Sequence, residues 1–257
     1  MIKDTVRQVV VVLATIVTLT VNTLANALPL NGQTTGEVSD RFEVYFVPAG
    51  YVFSIWSLIY VLLIAFTVYQ ALPAQRENPA LRRVGYLYAL SCVANSAWIF
   101  LWHYELFPLT LLAMLALLGL LIAIYLRLGI GRTPASPGER WPVRLPFSVY
   151  LGWITVATIA NVSSLLYFLE WDGWGISPEA WTVIMLVAAT AITAATLFTR
   201  RDVAYGLVIV WALAGIGVKH AGTPVVSPAA WAATAAVVVM LLALVLLIDL
   251  RSRRPAI

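Results

Sequence analysis

Residues 28–60 read LPLNGQTTGEVSDRFEVYFVPAGYVFSIWSLIY. The stretch begins as a polar loop carrying Glu37, Asp40, Arg41 and Glu43, passes Pro48 and Gly50, and ends inside an apolar run that holds Trp56 and Tyr60. A charged loop with glycine and proline that feeds an aromatic helix has two readings: a solvated connector ahead of an ordinary membrane helix, or a lid over a pocket. Both stay open from the loop alone.

The composition around it decides the solvent. Of 257 residues, 61% are apolar and 11% charged, against about 25% charged in a soluble domain. The reading is an all-α, polytopic transmembrane bundle, because in lipid every backbone polar group must be satisfied within the segment. Eight apolar spans follow, near 5–26, 47–70, 84–103, 107–127, 145–169, 179–198, 203–219 and 229–249, the seventh the shortest; a crossing helix needs about 20 residues. Leu72-Pro73, Asn78-Pro79, Thr133-Pro134 to Pro142, Ser177-Pro178 and Pro224 to Pro228 punctuate them. Lys3 and Arg7 ahead of an apolar core, with Ala25-Asn26-Ala27 after it, also fit a signal peptide. The length of the core favours an uncleaved first helix.

Charge sets the orientation. With the N-terminus inside, the inner segments hold Lys3, Arg7, Arg76, Arg82, Arg83, Arg127, Arg132, Arg140, Arg144, Arg200, Arg201, Arg251, Arg253 and Arg254, which is 14 of the 16 basic residues. Only Arg41 and Lys219 fall outside. Positive charge stays on the cytoplasmic side, so both termini are expected there and the 28–46 loop outside, in a bacterial inner membrane. The net charge of +4 is spent at helix ends, and no nucleic-acid partner is expected. The tail Arg251-Ser252-Arg253-Arg254 reads as an anchor with weak attraction to anionic lipid. The lone Cys92 allows no internal disulfide and no Cys metal site.

Trp102, Trp141, Trp171, Trp174, Trp181 and Trp231 lie at span ends and read as an interfacial belt. Trp56, Trp98, Trp153 and Trp211 lie within spans, as do the amides Asn22, Asn26, Asn95 and Asn161. At 1.5 Å per residue, Trp56 sits roughly 14 Å, Asn95 and Asn161 roughly 12 Å, and Trp98 and Asn22 about 7 Å below the outer surface. These groups are the wall of an outward pocket, interhelical hydrogen bonds of about 0.6–2 kcal/mol each, or both. Asn95 and Trp98 share a helical face. Tyr150, Trp153, Ala157 and Asn161 form one stripe, and Gly152 and Ala157 allow close approach.

Tyr150-x-x-Trp153-x-x-x-Ala157-x-x-x-Asn161 resembles the fifth-helix signature of the TspO/MBR family, the translocator or tryptophan-rich sensory proteins. Asn95-x-x-Trp98 resembles its third-helix motif, and Pro48 with Trp56-x-x-x-Tyr60 its second helix. The resemblance covers about residues 5–170, and the chain looks like a longer, eight-span branch. Pro48-Ala49-Gly50-Tyr51 replaces the family's usual Pro-Pro and Trp, and Pro146 lies four residues ahead of Tyr150 rather than beside it.

The resemblance implies a TspO-like five-helix unit over 1–170, closed by the 28–46 loop, with residues 171–257 as a three-helix extension and short basic tail. It also implies a sensor or carrier for a flat hydrophobic ligand, a tetrapyrrole such as porphyrin or haem. Trp56, Trp98 and Trp153 would be its aromatic wall, since planar rings stack well on indole; Tyr60, Asn95, Tyr150 and Asn161 would orient the ligand or lock the helices. No resident cofactor is fixed beyond such a bound porphyrin or haem.

The residues themselves leave a transporter of an apolar or amphipathic solute open, and a membrane enzyme using Glu37 and Asp40. No nucleotide loop, HExxH or GxSxG is present, so the balance is against an enzyme and no catalytic residue or metal ligand is assigned. His103 and His220 read as interfacial. No Asp or Glu lies in the membrane interior of spans two to seven, which argues against a proton relay. Small residues from Ala188 to Gly217 mark the last three spans as packing surfaces, for docking on the five-helix unit or for a homo-oligomer, with Trp211 an added pocket residue. Membrane lipids are the remaining expected partner.

Overall fold

Several of the apolar runs fold as helices that begin at a proline or a capping side chain. The computed structural model describes residues 2–28 and 30–252; Arg253 and Arg254 of the expected basic anchor lie outside these, and for Arg251 only the backbone is described. Nine helices of six residues or more occur among the described residues, and no strand. They are α1 Ile2–Ala27, α2 Thr35–Asp40, α3 Ile55–Ala71, α4 Pro79–His103, α5 Phe107–Arg127, α6 Leu145–Phe168, α7 Pro178–Arg200, α8 Val203–Lys219 and α9 Val226–Ser252. Short 3₁₀ and π turns fill several connectors, including Gly50–Ser54 ahead of α3 and Arg140–Arg144 ahead of α6.

The start signals have visible partners. Asn78 accepts from the Ala80 N–H at 2.9 Å, with Pro79 opening α4. Ser177 accepts from the Ala180 N–H at 3.2 Å, with Pro178 opening α7, and Asp202 accepts from the Tyr205 N–H at 3.1 Å to open α8. Each side chain satisfies a donor that the first helical turn leaves unpaired. Arg201, at φ 55°, turns the chain sharply between α7 and α8.

Among the described residues, seven helical segments are long and apolar enough to cross a bilayer. The eighth apolar helix, α8, has 17 residues, the lower limit for a crossing. The chain divides into two compact units. The first comprises Met1–Val44 and Phe53–Trp171, the second Tyr45–Val52 and Asp172–Ile257.

In the first unit, α1 packs on α4, α4 on α5, α5 on α6, α6 on α3 and α3 on α1. The five helices thus close into a ring in which each has two principal neighbours. In the second unit α7, α8 and α9 pack on one another. Small residues set that packing. A Cβ at Gly206 would lie 2.8 Å from Leu241 Cδ2 and 3.0 Å from Leu197 Cδ2, and one at Gly217 would lie 2.9 Å from the Trp231 ring.

The second span differs from its sequence reading. Hydropathy starts it at residue 47, but the α-helix starts at Ile55, and residues 45–52 belong to the three-helix unit. Pro48 and Gly50 do not propagate a helix. The segment's backbone instead finds partners in α8: the Ala49 N–H donates to the Gly215 carbonyl at 3.1 Å, and the Trp211 indole N–H donates to the Val52 carbonyl at 3.0 Å. A Cβ at Gly215 would collide with Val52 Cγ2, so only glycine lets this strap lie flat on the helix.

Candidate functional site

Four of the in-span polar groups meet inside the ring. Tyr60 on α3 donates its hydroxyl to Asn22 Oδ1 at 3.0 Å. Asn22 Nδ2 donates to Asn95 Oδ1 at 2.7 Å, and Asn95 Nδ2 donates to the Tyr150 hydroxyl oxygen at 3.0 Å. The donors all run one way, so each bond polarises the next. One chain of side chains thereby ties α3, α1, α4 and α6. Asn22, Asn95 and Tyr150 are buried, and Tyr60 is half-buried.

The seam continues towards the basic end of the ring with residues the sequence reading passed over. Thr15 Oγ1 lies 2.8 Å from Thr67 Oγ1 and 2.9 Å from the Tyr88 hydroxyl. Gln8 Nε2 donates to the Gln70 carbonyl at 2.6 Å, and Gln70 Nε2 donates back to the Gln8 carbonyl at 3.2 Å. Threonine and tyrosine barely disturb a hydropathy profile. The usable signal was helical spacing: Gln8, Thr15, Thr18 and Asn22 follow one another at seven, three and four residues, one face of α1.

The aromatic residues form a wall beside this chain. Trp56 stacks on Tyr60 with centroids 5.5 Å apart and 27° between planes. It meets Tyr150 edge-on at 6.0 Å and Trp153 at 6.2 Å. Phe53 closes on Trp153 at 5.7 Å. Trp153 and Tyr150 are buried while Trp56 keeps partial exposure, so the wall has an accessible front and an enclosed back. The Trp153 indole N–H is buried with no hydrogen-bond partner among the described residues; the same holds for Trp98 Nε1 and Asn161 Oδ1. Buried polar atoms normally find partners, so two unspent donors and one unspent acceptor mark places where a ligand group can bond.

Trp98 and Asn161 do not join that wall. Trp98 stacks on Trp102 at 5.2 Å and 17°, in a cluster with Val38, Phe107 and Leu165 that Phe42 and Leu111 complete. Asn161 Nδ2 donates to Thr110 Oγ1 at 3.0 Å, within the first turn of α5. Asn161 therefore lies shallower than Asn95, and Asn22 lies level with Asn95, whereas counting residues along straight helices puts Asn95 and Asn161 level and Asn22 about 5 Å above them. Helices that start at different heights and tilt do not share one ruler.

Residues 30–42 of the loop before α3 lie over this second cluster. Thr34 and Glu37 form a capping box at α2: Thr34 N–H donates to Glu37 Oε2 at 2.7 Å and the Glu37 N–H donates to Thr34 Oγ1 at 3.3 Å. The Thr34 backbone N–H, with its hydroxyl adding to it, holds the Glu37 carboxyl below the usual carboxylate range.

Trp102 and His103 are corrections to the interfacial reading. Trp102 is 4% exposed and donates its indole N–H to the Thr35 carbonyl at 3.2 Å. His103 is fully buried, with Nδ1 3.1 Å from the Leu30 carbonyl and Nε2 3.0 Å from Thr35 Oγ1. A carbonyl only accepts, so Nδ1 carries the proton and Nε2 accepts from the threonine. Arg41 pairs with Glu105 at 3.0 Å on the surface of the same loop. The helix end looks interfacial in sequence, but α2 folds back over it. Trp141, Trp174 and Trp231 remain exposed at span ends, as a belt requires.

Trp211 serves the strap: it bonds Val52 and packs edge-on against Tyr51 at 5.5 Å.

With this geometry in place, comparison with known proteins assigns the family. A family model described as TSPO-like protein matches residues 8–246. The chain belongs to the TSPO-like protein family. The match runs through α7, α8 and most of α9, well past the end near residue 170 that the motifs alone support, so the last three helices are part of the matched region. No curated protein and no solved structure matches the chain.

Proposed function

We propose that the five-helix ring of this TSPO-like protein binds a flat, largely apolar ligand, and that the protein works as a membrane sensor or carrier for it. The class the family resemblance implies is a tetrapyrrole, porphyrin or haem. The observation that carries the reading is Trp153: a buried indole with an unspent N–H, behind a half-exposed Trp56 and beside Tyr150. The residues fit a ring held by stacking and edge hydrogen bonds. Trp56 and Tyr60 offer a stacking face, and Trp153 Nε1 offers a donor to a carboxylate or carbonyl on its rim. The tyrosine hydroxyls are engaged with Asn22 and Asn95, so they lock helices rather than reach for a metal. Trp98 and Asn161, beneath the α2 lid, hold the second donor and the acceptor and would meet a ligand only if it extends outward.

In this reading the membrane is a bacterial inner membrane, with the basic end of the ring on the cytoplasmic side, where positive charge is retained, and α2 outside. Titration of the detergent-purified protein with protoporphyrin IX and with haem tests it. Saturable, micromolar or tighter quenching of tryptophan fluorescence is expected, weakened at least several-fold in Trp56→Phe and Trp153→Phe and unchanged in the exposed control Trp141→Phe. Linear quenching that ignores all three variants would mean partition into the micelle and would end the proposal.

The seam from Gln8 to Tyr150 favours one second reading, passage of a small amphipathic solute along the ring interior. Flux into proteoliposomes that Asn22→Leu abolishes would support it; intact binding without flux would exclude it.

A further inference from the structure

A cleft of about 290 Å3 opens at the basic end of the ring, between the start of α1 and the start of α4. Its volume is at the small end of the roughly 300–1,000 Å3 that ligand pockets span, the size of a headgroup rather than of a porphyrin. Lys3, Arg7 and Arg82 line it against one carboxylate, Asp4, leaving a formal charge of +2.

Asp4 is already committed. It accepts from Arg82 Nε at 2.6 Å and Nη2 at 2.8 Å, and from Arg7 Nη1 at 3.4 Å. Arg7 is only 2% exposed. Its Nη2 donates to the Arg76 carbonyl at 2.8 Å, and its buried Nε has no partner among the described residues. Gly85 makes the seat for that side chain: a Cβ there would lie 2.7 Å from Arg7 Cδ and 3.5 Å from Nε. Glu77 adds a second, more exposed carboxylate 3.8 Å from Arg82 Nη2. Three cations against two carboxylates, with a buried guanidinium donor unpartnered, still leave the cluster undercompensated. The group that completes it is an anion.

The cleft's flank says what the anion is attached to. Ile2, Val6 and Tyr86 line it with apolar surface and are 82%, 49% and 50% exposed. From there two exposed apolar rows continue along the packed pair of helices, Val9 and Leu13 on α1, Leu90 and Val93 on α4. Arginine and lysine suit a phosphate because each carries several charged N–H donors, more than Asp4 alone takes up. A free phosphate would use the charges and leave the rows idle. An anionic phospholipid uses both.

We propose that this cleft binds the phosphate headgroup of an anionic phospholipid, with acyl chains lying along the exposed rows of α1 and α4. The assignment is independent of any ligand in the ring interior.

Native mass spectrometry of the full chain released from micelles tests it, with phosphatidylglycerol and phosphatidylcholine of equal chain length as probes. Phosphatidylglycerol should be retained at least tenfold more than phosphatidylcholine. Lys3→Gln and Arg82→Gln should each lower its retention about fivefold, the weight of one basic residue near a lipid surface, and leave phosphatidylcholine unchanged. Lys3 is exposed, so its variant reports on binding even where Arg82→Gln unsettles Asp4. Arg200→Gln, on α7, should change nothing. Equal retention of the two lipids, or phosphatidylglycerol retention indifferent to Lys3→Gln, overturns the proposal. Stabilisation by millimolar inorganic phosphate equal to that by phosphatidylglycerol would make this a free-anion site and overturn it as well.

Discussion

The five-helix ring uses some of its polar side chains to bond one helix to another, whereas the threonines of α7 in the three-helix unit bond back along their own helix. In the ring, Thr15 on α1 touches both Thr67 and Tyr88 on neighbouring helices, and Asn22 touches three side chains or carbonyls at once. On α7, Thr182, Thr190, Thr193, Thr196 and Thr199 each donate to the carbonyl four residues back on their own helix. Those hydroxyls are satisfied internally and contribute nothing between helices by these bonds. The three-helix unit has a few bonds between its parts, such as Ser227 Oγ to the Gly217 carbonyl at 3.2 Å, and close approach at Gly206, Gly215 and Gly217. Lipid is as apolar as the helices, so association rests on packing and hydrogen bonds. One unit relies more on bonds and the other more on fit. A unit tied by polar side chains in its interior also has polar side chains to offer a ligand, whereas close packing at glycine leaves little room for one.

Overfilling the fit should be the most damaging change. Gly215→Ala drives a methyl into the stiff, β-branched Val52 and against Pro48. We expect a loss of about 1–3 kcal/mol, towards the upper end, in thermal unfolding in detergent, with release of the strap read by Trp211 fluorescence. Gly206→Ala meets the ends of two leucines instead and should cost less. If Gly215→Ala is silent, close approach is not what holds this unit.

Removing the hub of the bonds comes next. Asn22→Leu strands Tyr60 and Asn95, and at about 0.6–2 kcal/mol per contact should cost about 1–3 kcal/mol, while Asn26→Leu, whose amide donates to the Asn22 carbonyl of its own helix, should cost under half as much. Equal losses would mean that the chain from Tyr60 to Tyr150 does not couple helices. Thr15→Val keeps the shape and removes only the hydroxyl, for about 0.6 kcal/mol by the same measure; Thr193→Val on α7 should be smaller still.

The ring was more legible in the sequence than its partner unit, for physical reasons. An amide inside an apolar run has to find a partner, so Asn22 and Asn95 stood out, and helical spacing put Tyr150 and Trp153 on one face. Gln8, Gln70, Thr15 and Thr67 did not stand out, because glutamine near a span end and threonine anywhere in a span are common without meaning. Trp102 and His103 were misread because nothing in a span's own residues announces that a six-residue helix elsewhere, α2, will cover its end. The strap 45–52 was hidden for a similar reason: its hydropathy belongs to the second span, while the groups that hold it, Trp211 and Gly215, lie more than 150 residues further on.

The smallest expected effect is on pH. Burial pushes the His220 imidazole below its ordinary value, with Lys219 beside it adding in the same sense. The folded state thus favours neutral His220, and the unfolded chain takes up the proton first as pH falls through about 6.5. Stability of the three-helix unit is then held above that pH and declines below it. His220→Gln should flatten the unfolding temperature of this unit between pH 7 and pH 5; an unaltered slope would place the titrating group elsewhere.

The claim that the ring is the binding unit is tested most directly by a photo-oxidation map. The protein is illuminated with one equivalent of protoporphyrin IX, and oxidised tryptophans are located and timed by mass spectrometry. A porphyrin against the ring's aromatic wall generates its oxidant there, so Trp56 and Trp153 should be modified first, ahead of the more exposed Trp141 and Trp174 and of Trp211 and Trp231. Oxidation that follows exposure, with Trp174 leading and Trp153 last, or that begins at Trp211, would contradict the account.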